Sequence, residues 1–238
     1  MFANREKAGK ELAQRLMSLS AQRPVILGLP RGGVPIAVEV ARTLRTQADV
    51  LVVRKLGVPG NPEFGFGAVG EGGVAVVDHA LVSRLGLDER VIDRIRTAEE
   101  IEVDRRVANY RRGHPAPELE GRTAIIVDDG IATGATARTA VAIVRKRGAR
   151  RVIVAAPVAA PDAVRMLARV ADEVIVLEQP PDFRAVGFHY LDFDQLTDDQ
   201  VTDALAAALP HGVATTVAFP GNIDADVEVP AGAVRLAG

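Results

Sequence analysis

The densest chemistry in the chain lies in twelve consecutive residues, Ile125-Ile126-Val127-Asp128-Asp129-Gly130-Ile131-Ala132-Thr133-Gly134-Ala135-Thr136. An apolar β-branched run ends in two acids, passes into a loop of small residues and then starts a helical pattern. Glycines let backbone N–H groups turn inward, and the first turn of a helix adds partial positive charge, so the stretch is an anion site. Thr133 and Thr136 add hydroxyl donors suited to phosphate oxygens. Asp128 and Asp129 would repel a phosphate beside them; they suit a partner that offers hydroxyls or a growing positive charge, as a ribose ring does. A ribose 5-phosphate satisfies both halves. No Gly-Lys-Ser/Thr is present in the stretch, so it is not a Walker loop and nucleoside triphosphate hydrolysis is disfavoured.

Three other segments carry suitable groups. Leu27 to Val34 reads as a strand, a tight turn with one cation and two glycines, and a helix start. The guanidinium of Arg31 can grip phosphate oxygens through two parallel bonds; a plain strand-to-helix turn is the bland alternative. Arg54 and Lys55 open a glycine-rich stretch that also holds Glu63, which could equally be an acid in solvent. Phe183, Phe188 and Tyr190 form either a stacking pocket or a small core cluster. His79, His114 and His211 have no metal-type spacing.

These groups need elements to hold them. Residues 25–27, 50–53, 124–127, 151–158 and 173–177 are apolar on both faces, as strands buried in a parallel sheet are. Helical patterns fall at about 34–45, 136–147 and 161–169, the middle one closed by Gly148 and the last opened by Pro161. Another helix is expected from Arg5 to about Leu19, and a long charged one over 88–112. Alternating strands and helices imply an α/β fold with a mainly parallel sheet flanked by helices. Residues 54–73, with seven glycines and two prolines, are expected to form no regular element. The 238 residues suffice for one large domain or two small ones. A net charge of -2 gives no broad basic face, so nucleic acid is not an expected partner. The absence of cysteine excludes disulfides, thiolate zinc sites and a Cys nucleophile together. A charged start and a longest apolar run of about half a membrane span imply no membrane partner and a cytoplasmic protein.

The stretch from Ile125 to Thr136 resembles the phosphoribosyl pyrophosphate signature of the type I phosphoribosyltransferases: a hydrophobic strand, two acids, three variable residues, then Thr-Gly-x-Thr. The resemblance implies that Asp128 and Asp129 hold the ribose hydroxyls, and Mg2+ through water or the ribose. It implies that Ala132, Thr133, Gly134, Ala135 and Thr136 wrap the 5-phosphate. Arg31, Gly32 and Gly33 become the pyrophosphate loop, with a cis peptide expected at Pro30–Arg31. Arg54 and Lys55 become pyrophosphate ligands on a mobile loop that closes over the site. Pro62-Glu63-Phe64-Gly65 is similar to the Leu-Glu-Tyr-Gly of adenine phosphoribosyltransferases, which gives Glu63 a part in protonating the base. Residues 182–192 resemble the base-binding region of hypoxanthine-type members, which makes Phe183 the residue that stacks on the base.

Leu29 to Val34 and Val53 to Glu63 are also similar to a group of bacterial members whose acceptor is undefined. What this implies is transfer of ribose 5-phosphate from phosphoribosyl pyrophosphate to a small nitrogenous acceptor. The expected domain spans 1–209, with a small hood from about 1–20 and 180–209, in a homodimer. Ala132 stands where 6-oxopurine members carry an acid, so hypoxanthine and guanine are disfavoured. A non-catalytic phosphoribosyl pyrophosphate-binding regulator is the alternative. Residues 210–238 are expected to be a C-terminal linker or tail, read either as a frayed terminus or as the start of a fused hydrolase domain.

Overall fold

The computed structural model describes residues 1–208. The C-terminal tail expected over 210–238 lies outside the described residues. The chain opens with helix α1 (Arg5–Leu16), capped by the Asn4 side chain, which accepts from the Lys7 amide. A 3-10 turn leads to strand β1 (Val25–Gly28), helix α2 (Gly33–Leu44) and strand β2 (Ala48–Val50). Next come strands β3 (Val53–Val58), β4 (Asn61–Gly70) and β5 (Val74–Val77), then helices α3 (His79–Leu85) and α4 (Glu89–Arg111). The chain returns through β6 (Thr123–Val127), α5 (Ala135–Lys146), β7 (Arg151–Val158), α6 (Pro161–Leu167), β8 (Glu173–Glu178) and α7 (Asp198–Ala208).

The main sheet has the order β2-β1-β6-β7-β8 and is parallel throughout. Alternate residues along each strand face opposite layers. Val25, Leu27, Ile126, Val152 and Val154 pack on Val141 and Val144 of α5 and Leu167 of α6. Ile26, Ile125, Val127 and Ile153 pack on Leu12 and Leu16 of α1 and Ile36 and Val40 of α2. Both faces are covered, which is why these strands read as unbroken apolar runs. Among the described residues no helix is long and apolar enough to cross a membrane.

Two expectations need correction. Residues 50–53 are not one strand. β2 ends at Val50, the Leu51 amide still reaches the Gly28 carbonyl of β1, and the Val52 amide turns to the Glu71 carboxylate. The run is apolar because it crosses buried between two sheets. Residues 54–73 are not irregular either: β3, β4 and β5 form a separate antiparallel sheet. Some of its glycines mark close approach. A Cβ on Gly67 would stand 2.5 Å from the Val76 carbonyl oxygen, and one on Gly70 would strike Ile143 of α5. Leu56, Phe66 and Val69 of this sheet share a core with Val103 and Tyr110 of α4 and Val201 and Leu205 of α7.

The charged segment over 88–112 is the expected long helix, α4, with Asp88 as its N-cap. Of the two stretches expected to form the hood, α1 lies against α2 and one face of the main sheet. Phe2 meets Tyr190 in a short parallel bridge, so the first residues and the 186–194 region are joined.

Candidate active site

The chain leaves β1 toward one edge of the main sheet and β6 toward the other. At such a reversal of strand order a crevice opens at the carboxyl ends of the two strands. The Arg31 loop follows β1 and the Asp128–Thr136 loop follows β6, so the fold brings the two loops expected to bind anions side by side.

The two loops touch through backbone. The Leu29 amide donates to the Val127 carbonyl at 2.9 Å, and the Asp128 amide donates to Ala155 of β7 at 3.2 Å. The Pro30–Arg31 peptide is cis. Gly32 and Gly33 are needed for the approach: a Cβ on Gly32 would collide with Asp129 Oδ2, and one on Gly33 with the Val127 carbonyl oxygen. The Arg31 side chain is exposed at the mouth of the turn.

Beyond the acids, Ile131 bridges to Ala159 and steers the loop back over the sheet. Gly134 caps α5 in the left-handed region at φ 74°, where a side chain would be strained and would strike Met166. Ala132, Thr133, Ala135 and Thr136 are exposed around it, at the amino end of a twelve-residue helix. That end supplies inward amides and partial positive charge.

Asp128 and Asp129 keep some surface exposure at the base of the crevice, where the surrounding protein removes most of their water. Burial pushes the Asp128 carboxyl well above the usual range, and the neighbouring Asp129 charge adds to the rise. Burial also raises Asp129, against the opposing pull of Arg5. Asp128 Oδ1 accepts from the Asp129 amide at 2.9 Å, and Tyr190 donates its hydroxyl to the Asp129 carbonyl at 2.6 Å.

The remaining sequence-derived residues divide. Lys55 lines a cavity of about 870 Å³ between α5 and the small sheet, together with Thr133, Ala135, Thr136 and Arg138. Arg54 is turned to α4, where its Nε meets Glu99 Oε2 at 2.7 Å. Arg54 and Lys55 also border a cleft of about 800 Å³ shared with Val91, Arg94 and Ile95 of α4. Both lie on the regular strand β3, not on a loop. Glu63 is on β4, and its side chain lies outside the described residues. Phe183 stacks on His189 at 5.4 Å between ring centroids. Tyr190 is buried in a cluster with Phe2 and Phe193, whereas Phe188 is 67% exposed. Tyr190 thus belongs to a small core cluster, whereas Phe183 is half-buried beside it and Phe188 is open to solvent.

Sequence reasoning missed Arg5, Phe193 and Asp194. Arg5 donates to Asp129 Oδ2 and to the Asp194 carbonyl, with its guanidinium over the Phe193 ring. The only sequence signal was the aromatic grouping near Tyr190; nothing linked it to a cation at the start of α1.

A family model described as "Phosphoribosyl transferase domain" matches residues 2–192. Two Mycobacterium tuberculosis proteins, from strains CDC 1551 / Oshkosh and ATCC 25618 / H37Rv, carry the provisional name phosphoribosyl transferase. Each is 47% identical over 242 residues, covering 100% of this chain and 55% of its own length. The chain therefore spans about half the length of these curated relatives. A crystal structure of TT1426 from Thermus thermophilus superposes with a TM-score of 0.79 at 45% identity, over 87% of this chain and 98% of that one. A uracil phosphoribosyltransferase from Lactobacillus gasseri is 33% identical over 75 residues, 32% of this chain and 36% of that protein.

Proposed function

The chain belongs to the phosphoribosyl transferase domain family, and from that premise we propose that it transfers ribose 5-phosphate from phosphoribosyl pyrophosphate to a small nitrogenous acceptor. The supporting observation is the pairing at the β1/β6 crevice: two desolvated carboxylates at the end of β6, directly followed by the amide-lined start of α5. In this reading the rim from Ala132 to Thr136 takes the 5-phosphate. Asp128 and Asp129 take the ribose hydroxyls, and Arg31 with Gly32 and Gly33 takes the pyrophosphate.

The bond from carbon 1 of the ribose to pyrophosphate oxygen breaks, and its electron pair leaves with pyrophosphate. The acceptor nitrogen supplies the pair for the new bond and releases its proton to water. The ribose becomes cationic on the way, so the nearby carboxylates stabilise it electrostatically. Arg31 and Lys55 would neutralise the leaving group, and Arg54 would join them only by releasing Glu99. Glu63 keeps its proposed part in protonating a base acceptor, at a ring nitrogen other than the one that forms the new bond, and Phe183 its part in stacking on it.

Among the described residues no cluster of three or more His, Asp or Glu side chains could cage a metal. A carboxylate pair beside a phosphate-rich substrate instead suits Mg2+, which keeps several of its waters. Asp128 and Asp129 would hold it through water or the ribose, and it would offset the charge of the departing pyrophosphate.

The deciding experiment measures pyrophosphate release from phosphoribosyl pyrophosphate with a panel of bases, with and without Mg2+. Release that depends on one acceptor supports the transferase. Tight binding without release with any acceptor would leave a phosphoribosyl pyrophosphate-binding regulator. Light scattering of the same sample tests the proposed homodimer.

A further inference from the structure

Arg5 Nε donates to Asp129 Oδ2 at 2.9 Å, and the two side chains are only 12% and 14% exposed. The guanidinium is fixed from two more directions. Its Nη1 donates to the Asp194 carbonyl at 2.9 Å, and its central carbon lies 3.9 Å from the centroid of the Phe193 ring. Backbone bonds lock the supporting segments together: the Phe2 amide donates to His189, and the amides of Leu191 and Asp192 donate to Phe2 and Ala3. Tyr190, within the same clasp, holds the Asp129 carbonyl. Asp129 is therefore gripped at backbone and side chain by two segments remote in sequence.

An exposed arginine gains little from one carboxylate. A guanidinium stacked on a ring and tied to a carbonyl has its fork preset, so it can dictate the carboxylate plane. We propose that Arg5 is a positioning residue for the ribose: it occupies Asp129 Oδ2, leaving Oδ1 to accept from one ribose hydroxyl in a fixed plane. The inference deepens the transferase reading above and rests on it. A positive charge at this distance also discourages a bare divalent cation from seating directly on Asp129. A neutral hydroxyl is the partner that suits the remaining oxygen.

The test is calorimetric titration of Mg2+–phosphoribosyl pyrophosphate, and separately of inorganic phosphate, into the wild type, Arg5→Ala and Arg5→Lys. Melting curves report folding. We expect Arg5→Ala to bind phosphoribosyl pyrophosphate at least roughly tenfold more weakly, the loss of one charge-assisted hydrogen bond. Its affinity for inorganic phosphate should be unchanged, because the loop 132–136 is untouched. Guanidinium chloride below denaturing concentration should recover part of the loss with no rise in the melting temperature, whereas for a merely structural arginine the two would recover together. Arg5→Lys, with the charge but not the fork, should fall between, and it carries the comparison if Arg5→Ala fails to fold. Wild-type affinity in the folded variants overturns the proposal, as does equal weakening of both ligands without guanidinium recovery. Failure of the wild type itself to bind phosphoribosyl pyrophosphate removes the transferase reading, and this inference with it.

Discussion

Asp128 and Asp129 are adjacent in sequence yet differ in surroundings. Among the described residues Arg5 alone bonds the Asp129 carboxylate from a side chain, whereas Asp128 accepts from the Asp129 amide. Asp128→Asn removes a desolvated charge and should leave stability little changed. Asp129→Asn strands the guanidinium of Arg5 and should unfold at lower denaturant. Both should weaken Mg2+–phosphoribosyl pyrophosphate binding, by about tenfold or more each. Parallel urea melts and calorimetry read the two effects, and equal stability loss would contradict the asymmetry. Ala132 gives a second expectation at this scale. It places no acid at the exposed rim, so hypoxanthine and guanine should be turned over more slowly than adenine or uracil. Hypoxanthine as the best substrate would falsify that argument. The acids and the small-residue loop were legible because their chemistry is local. Arg5 was not, since a cation in the first turn of a helix looks like any solvated charge until the fold sets it against Asp129.

Among the elements, four of the five strands of the main sheet were plain in the sequence, because burial on both faces leaves continuous apolar runs, whereas β2, which carries Asp49, was placed two residues late. The small sheet was hidden for the opposite reason. Glycine lowers β-propensity, and seven of them suggested irregular chain. In the structure they divide by role: Gly60 turns the β3–β4 hairpin at φ 80° with open space around it, while Gly67 and Gly70 admit neighbouring atoms. Substitutions should separate these roles. Gly67→Ala forces atoms apart inside the sheet and should cost about 1–3 kcal/mol. Gly60→Ala meets no neighbour and should cost only the backbone strain of a left-handed alanine, about 1 kcal/mol. Thermal melts of the two variants check the order. Reversal would mean that the hairpin tip, not the sheet interior, limits stability.

Across the whole molecule the two sheets are tied by a buried charge cluster. Arg111, at the end of α4, meets Asp49 of β2 at 2.7 Å and Glu71 beyond β4 at 2.8 Å, and Arg147 after α5 approaches Glu71 at 3.5 Å. Removing one partner leaves uncompensated charge, so Arg111→Met should cost about 3–5 kcal/mol, measured by urea unfolding. Burial pushes the Asp49 carboxyl from 3.8 up to about 6, against the pull of Arg111. For an acid raised in this way, the stabilising contribution is complete below pH 3.8 and is lost as pH rises through about 6. The stability of the wild type relative to Asp49→Asn should therefore fall between those limits; a difference independent of pH would refute it. The central pairing of the main sheet has a temporal consequence. β1 and β6 are adjacent in space but their partners Val25 and Ala124 are roughly 100 residues apart, and a pairing so distant closes a long loop before it is rewarded. The crevice that carries the candidate chemistry should therefore form after the local hairpin of the small sheet. A ribosome must have extruded all of α4 and β6 before the two candidate loops can meet, and pulse-labelled amides of β1 and β6 should gain protection together and later than those of the β3–β4 hairpin.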